Sequence, residues 1–162
     1  MSVASSLSDA VKGHPTLREL GVMRCGLNDA NILGKVLEGC IGLREVRLGY
    51  EKLGLDGITI MADFIRSNHP IEVIQLGRTN LSDNDVAVLA SALKKNTNLK
   101  QLGLTGNDDI TEAGDKALLQ AMYDPTSMDS IVNSNHICRV YKYDTRNTSI
   151  TNQRPLLEQE VF

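Results

Sequence analysis

Cysteine and histidine are the residues of this chain best suited to nucleophilic or metal chemistry, and they are dispersed along it. The cysteines are Cys25, Cys40 and Cys138, an odd and widely spaced set that favours free thiols over a disulfide framework. His14 and His69 each precede a proline, but a zinc site needs three or four protein ligands. No set of cysteine, histidine and asparagine can be argued, so we expect no catalytic residue, no metal site and no cofactor.

Carboxylate pairs occur at Asp83/Asp85 and at Asp108/Asp109. Each pair falls where a strand pattern gives way to a helical pattern, and acids at a helix start are stabilised by the helix dipole. Neither GxGxxG nor GxxxxGK followed by Ser or Thr occurs, so no phosphate-binding loop is indicated. These residues therefore predict a protein that is not an enzyme.

The elements that must carry these residues follow a repeated pattern. Four segments have apolar residues at their first, fourth and sixth positions, and they begin at Leu17, Leu43, Ile71 and Leu99. The interval between successive starts is nearly constant, with only the first step slightly shorter than the others. A weaker fifth copy begins at Met128. Alternation at the fourth and sixth positions predicts a short strand with one buried side.

Each of the first four segments is followed by apolar residues spaced i, i+3, i+4, which is the spacing of one helix face. These anchors are Leu33/Val36/Leu37, Met61/Phe64/Ile65, Leu89/Ala92/Leu93 and Leu118/Ala121/Met122. One such unit cannot bury its apolar face alone, but stacked units share a continuous core between a parallel sheet and a layer of helices. Because a helix is about 10 Å wide and a strand about 4.8 Å, the stack should curve with its strands inside.

This pattern resembles the leucine-rich repeat, LxxLxLxxNxL, in its ribonuclease-inhibitor subtype of roughly 28 residues. The resemblance covers about Leu7 to Val140. It implies an α/β fold: a right-handed solenoid, or short horseshoe, of about four to five repeats, with a parallel sheet on the concave face and helices on the convex face. In the family, the consensus Asn side chain bonds backbone across the turn. Its positions here hold Cys25, Glu51, Thr79 and Asn107, and Glu51 departs from the pattern.

The predicted leucine-rich-repeat domain spans residues 1–143. It has a helical start at 5–13, repeats from about 17, 43, 71 and 99, and a partial capping repeat at 128–143; residues 144–162 form a polar tail. The helical start is interpreted either as a natural cap or as a cut through a longer horseshoe. The apolar residues of 155–162 either pack on the chain itself or engage a partner. Dimerisation through an end of the solenoid is a further alternative.

Composition argues against several classes of partner. The net charge of −3 and the isoelectric point of about 5.6 do not favour nucleic acid or an anionic membrane. The first ten residues lack a basic region followed by an apolar one, and no apolar run reaches the length of a membrane span. We therefore expect no signal peptide, no membrane association and a cytoplasmic or nuclear location.

The third, fifth and seventh residues of each predicted strand should face solvent, and the resemblance implies that this concave face binds a partner. Glycines at 21, 49, 77 and 103 either leave a floor that a partner can approach closely or relieve crowding between strands. The sequence thus favours a non-enzymatic module that binds another protein, whose identity it does not reveal. The candidate contact residues are Glu19, Met23, Arg44, Glu45, Arg47, Val73, Gln75, Lys100, Gln101 and Thr105.

Three alternatives share the same repeat. One is a regulator of a small GTPase, similar to the Ran GTPase-activating proteins, which have more repeats. Another is an actin-capping domain similar to the C-terminal domain of tropomodulin. The third is a fragment of a larger sensor protein, whose ligand would span more repeats than this chain has.

Overall fold

The computed structural model describes residues 3–12 and 14–142 of the 162-residue chain. Within them the strands are β1 (Glu19–Met23), β2 (Glu45–Gly49), β3 (Val73–Gly77), β4 (Gln101–Gly103) and β5 (Arg139–Tyr141). The helices are α1 (Val3–Lys12), α2 (Ala30–Gly39), α3 (Gly54–Arg66), α4 (Asp83–Leu93), α5 (Glu112–Met122) and α6 (Met128–Val132), and a 3-10 turn at Cys40–Gly42 follows α2. The predicted tail at 144–162 lies outside the described residues.

The five described strands form one parallel sheet in chain order, from β1 to β5. Glu19 pairs with Glu45, Glu45 with Val73, and Val73 with Gln101. Each of these residues is the third of its predicted segment, so equivalent positions of successive segments lie side by side. The predicted positions and mutual alignment of the first four strands are therefore confirmed.

The core lies between this sheet and the helices. Along β2 and β3, Val46, Leu48, Ile74 and Leu76 are buried, whereas the residues between them are only partly buried. The predicted helix anchors are all buried, and successive helices from α1 through α5 contact one another. The helices thus form one layer against one face of the sheet, and the strand side chains of opposite parity point away from that layer.

Helix α1 corresponds to the predicted helical start, and it approaches α2 very closely. A Cβ atom added at Gly39 would lie 2.7 Å from the backbone oxygen of Ser8. Glycine is therefore needed at the end of α2 for the two backbones to meet. No helix in the described part of the chain is both long enough and apolar enough to cross a membrane.

The prediction that a fifth strand begins at Met128 is wrong. That segment forms the short helix α6, and the strand that pairs with β4 is β5, in which Arg139 lies beside Gln101. Short polar side chains explain the difference, because they bond to nearby backbone in place of a neighbouring strand. Ser127 accepts a bond from the Ser130 amide at the start of α6. The chain consequently rejoins the sheet at Arg139, later than the repeat interval predicts.

Candidate functional site

The sheet face that points away from the helices gathers most of the predicted contact residues into rows. Register places Glu19, Glu45, Val73 and Gln101 side by side across β1 to β4, and Arg47 beside Gln75 in the next row. The remaining predicted residues lie at strand ends: Met23 ends β1, Arg44 and Lys100 precede β2 and β4, and Thr105 follows β4. We call this surface the strand face.

The charges at the centre of the strand face are paired with one another. The Arg47 Nε donates to a carboxylate oxygen of Glu45, and an Nη of the same guanidinium lies 3.4 Å from the Glu19 carboxylate. The hydrogen bond to Glu45 is the largest cause that raises the pKa of Arg47 above its usual value. Lys100 is likewise 3.0 Å from the Glu72 carboxylate. A partner that binds here must therefore fit, or exchange with, ion pairs that already exist.

The glycines of the strand face do not form an open floor. The side chain of Gln75 lies over Gly103, in the space that a Cβ there would occupy. Met23 lies over Gly49, whose hypothetical Cβ would be 3.5 Å from the Met23 Cγ. Of the four, Gly21 alone has nothing within 4 Å of that position. At Gly49 and Gly103, glycine accommodates side chains of neighbouring strands, which is the second of the two alternatives drawn from the sequence.

The turns after the strands are joined by buried polar side chains. Asn107, only 4% exposed, accepts from the backbone N–H groups of Thr79 (2.9 Å) and Leu81 (3.1 Å), and its amide nitrogen donates to the carbonyls of Leu76 and Leu104. Asn107 thus satisfies backbone groups of two successive turns. The role is structural, because every hydrogen-bonding group of the side chain is engaged within the chain.

Glu51, which departs from the asparagine pattern, lies two turns before Asn107 in the sheet order and accepts hydrogen bonds in the same way. The residue is 8% exposed, and its carboxylate accepts from the backbone N–H groups of Cys25 and Gly26, the latter at 3.0 Å. A carboxylate offers acceptors only, so it replaces the oxygen of an asparagine but not its donating amide nitrogen. The first turn is therefore bonded through a carboxylate in place of an amide.

Sequence reasoning missed a cluster at the ends of the first three strands, which we call the strand-end stack: Arg24, Tyr50 and Arg78. The guanidinium carbons of Arg24 and Arg78 lie 4.8 Å and 5.2 Å from the centroid of the Tyr50 ring. The signal was present in the sequence, because these residues share the eighth position of their segments. That position lies one residue beyond the solvent-facing positions considered above.

An open cleft of about 520 Å³ adjoins the strand-end stack. Its lining includes Arg78, Asn80, Asp108 and Asp109, so it carries charges of both signs. Both aspartates are exposed. The cleft lies between the strand-end stack and the turn that precedes α5. It therefore places Asp108 and Asp109 at the Arg78 end of the strand-end stack.

The carboxylate pair Asp83/Asp85 has a structural role, as predicted for acids at helix starts. Asp83 accepts from the Thr111 hydroxyl (2.6 Å) and from the backbone N–H groups of Thr111 and Gly114, at the first turn of α5. The Thr111 hydroxyl is the largest cause that lowers the pKa of Asp83. Asp85 accepts from the Ser82 backbone N–H (2.9 Å) and hydroxyl (2.7 Å) at the start of α4.

The cysteines and histidines are not brought together. Burial raises the pKa values of Cys40 and Cys138 to about 12, whereas Cys25 is exposed, and all three are free thiols. Among the described residues, no group of three or more His, Cys, Asp and Glu side chains could hold a metal ion. His14 instead accepts from the Leu17 backbone N–H (3.1 Å).

Comparison with known proteins adds no assignment. A scan against models of protein families finds no match, and a search of curated proteins finds none. The class that the structure defines is an α/β protein with a parallel sheet, five-stranded in the described region. The strand face and the strand-end stack are therefore the surfaces on which a function can be proposed.

Proposed function

We propose that this chain is a non-enzymatic protein-interaction module of the leucine-rich-repeat class, similar to the ribonuclease-inhibitor subtype, and that its strand face binds a protein partner. The even spacing of paired residues along the first four strands supports the repeat assignment. Helices that contact one another in the same order as the strands support a solenoid. The different widths of helices and strands favour curvature, with the strand face concave.

The observation that carries the proposal is a parallel sheet with one uncovered face. Parallel sheets in α/β proteins are usually covered by helices on both faces, because βαβ crossovers place helices there. Here successive helices from α1 through α5 contact one another in a single layer, and we take the strand face, on the other side of the sheet, to be open along the described chain. That face carries partly exposed polar side chains, including Arg47 and Glu19, whose side chains are 39% and 61% exposed. A rigid face of this kind suits the recognition of another macromolecule.

The free thiols support a proposal for the compartment. All three cysteines are free, which favours a reducing compartment such as the cytosol or the nucleus. The partner is accordingly sought among proteins of those compartments.

The test is capture of partners from a cell extract by the intact chain and by two charge-swapped variants. Arg47→Glu/Glu45→Lys reverses the central pair of the strand face and keeps the net charge. Lys35→Glu/Glu38→Lys makes the same exchange at exposed positions of α2, in the helix layer, and is the matched control. Circular dichroism checks that both variants fold.

We expect mass spectrometry to identify a protein that the intact chain and the α2 variant retain and the strand-face variant loses. A partner retained equally by all three chains would show that binding does not use the strand face. Loss of the partner from both variants to the same extent would show that the effect is not local, and it would also overturn the assignment.

A further inference from the structure

The strand-end stack differs from the strand face in whether its cationic side chains form ion pairs. Arg47 and Lys100 have carboxylate partners within 4.0 Å. No described carboxylate lies that close to the guanidinium of Arg24 or Arg78. Tyr50, with 43% of its surface exposed, lies between them in the sheet order. The stack therefore presents two cations that form no ion pair within the described residues.

The backbone holds these three residues in fixed positions. Their φ angles are +53°, +60° and +56° for Arg24, Tyr50 and Arg78, a left-handed conformation that is unfavourable for a residue with a side chain. Each amide is nevertheless bonded to the neighbouring strand end: Arg24 to Gly49 O (3.3 Å), Tyr50 to Gly77 O (3.1 Å) and Arg78 to Thr105 O (2.8 Å). The side chains thus start from a rigid platform, and less freedom is lost when a ligand binds.

The arrangement fits two monovalent anions better than one dianion. A guanidinium stacked on an aromatic ring keeps its N–H groups directed outward in its own plane, where they can hold a carboxylate with two parallel bonds. Arg24 and Arg78 follow strands two places apart, and two strand spacings amount to about 10 Å. An extended peptide advances about 3.3 Å per residue and its side chains alternate between two faces, so acidic residues two apart lie on one face about 6.6 Å from each other. The flexible side chains of the peptide and of the arginines can cover the rest of the distance.

We propose that the strand-end stack binds an acidic peptide segment of a protein partner, in extended form across the ends of β1 to β3, with one carboxylate on Arg24 and one on Arg78. This inference rests on the proposed function, since it takes the ligand to be a protein, and it adds the chemistry of a second contact. Tyr50 is a positioning residue, because it orients both guanidiniums through its ring.

The cleft beyond Arg78 limits where such a segment can lie. Asp108 and Asp109 line it, and these exposed carboxylates repel acidic side chains. The acidic segment is therefore confined to the β1 to β3 side. Removal of the two negative charges should strengthen the binding of an acidic peptide, whereas removal of the two arginine charges should weaken it.

The experiment is titration of the full chain with a fluorescein-labelled oligoglutamate peptide, followed by fluorescence anisotropy. Low ionic strength is used because the Debye length is about 30 Å at 0.01 M salt. Arg24→Gln/Arg78→Gln keeps residues with side chains at both left-handed positions. Lys35→Gln/Lys116→Gln removes the same number of positive charges from exposed positions of α2 and α5, and it is the matched control.

We expect the arginine variant to raise the Kd about tenfold, which corresponds to ~1.4 kcal/mol, and the lysine variant to change it less than about twofold. Asp108→Asn/Asp109→Asn should lower the Kd. No binding by the intact chain, or an equal rise in both glutamine variants, would overturn the proposal.

Tyrosine variants separate geometry from net charge. Tyr50→Phe keeps the ring and should leave the Kd within about twofold of the intact chain, whereas Tyr50→Asn removes the ring at a residue type that tolerates the left-handed region and should raise the Kd. Equal affinities for the two variants would refute the positioning role. Because the probe is a free peptide, its failure to bind leaves partner capture by the strand face untouched, and the two proposals fail separately.

Discussion

Replacement of Asn107 by alanine should destabilise the chain strongly. The substitution removes the four hydrogen bonds that its side chain makes with backbone groups of the two turns, and a longer one from the Thr79 hydroxyl. A typical intramolecular hydrogen bond contributes about 1 kcal/mol net, and the groups left behind are buried, so we expect a loss of about 4 kcal/mol. Domains of this size are stable by roughly 5–15 kcal/mol, and the loss is therefore a large fraction of the total.

The free energy of unfolding is measured by urea titration, with far-ultraviolet circular dichroism as the signal. Asn84→Ala is the matched control, because it removes the same atoms from an exposed position of α4, where alanine favours the helix. The control should lie within about 0.5 kcal/mol of the unsubstituted chain. A loss below about 1 kcal/mol in Asn107→Ala would refute the reasoning, since it would mean that the turns keep their bonds without this side chain.

Two further predictions follow from close contacts and from burial. Gly39→Ala should cost about 1–3 kcal/mol, because its Cβ meets the backbone of α1, whereas Gly103→Ala meets only a flexible glutamine side chain and should cost less than about 1 kcal/mol. The same urea titration compares the two, and equal costs would contradict the close approach of α1 and α2. At pH 8 a thiol reagent should modify only Cys25 in the folded chain and all three cysteines in urea, because pKa values of about 12 keep Cys40 and Cys138 protonated. Rapid modification of more than one thiol in the folded chain would contradict this assignment.

The first four strands and the helices α2 to α5 could be predicted because their signals are periodic and long. Each strand segment repeats the apolar positions of the others, and each helix presents an i, i+3, i+4 face. Alignment between strands followed from the same spacing, since a shift by one residue would expose the buried side chains of the strand.

The fifth strand could not be located in this way, because the segment between α5 and β5 does not continue the repeat interval. Met128 and Ile131 match the first and fourth positions of a strand segment, yet both lie in α6, where Met128 is exposed. Local hydrogen bonds accepted by the side chains of Ser127 and Asp124 decide the conformation there. Such bonds depend on backbone geometry that a spacing rule does not contain.

The candidate site was predicted only in part, since the repeat pattern places residues on the strand face but does not show how their charges pair. Register follows from spacing, and it placed Arg47 near Glu45 and Glu19. The geometry of the strand-end stack depends instead on the left-handed backbone at Arg24, Tyr50 and Arg78. Non-glycine residues adopt that region rarely, so the residue types there offered no reason to expect it.

The departure at Glu51 and the strand-end stack are physically connected. Tyr50 immediately precedes Glu51, and the Glu51 carboxylate accepts from the amide of Cys25, the residue that follows Arg24. The bond that stabilises the first turn therefore also fixes the spacing between the Arg24 and Tyr50 backbones. Substitution of Glu51 by glutamine keeps one acceptor oxygen and should preserve the stack, whereas alanine should loosen both the turn and the stack. In this region, stability and the proposed recognition of an acidic segment depend on the same carboxylate.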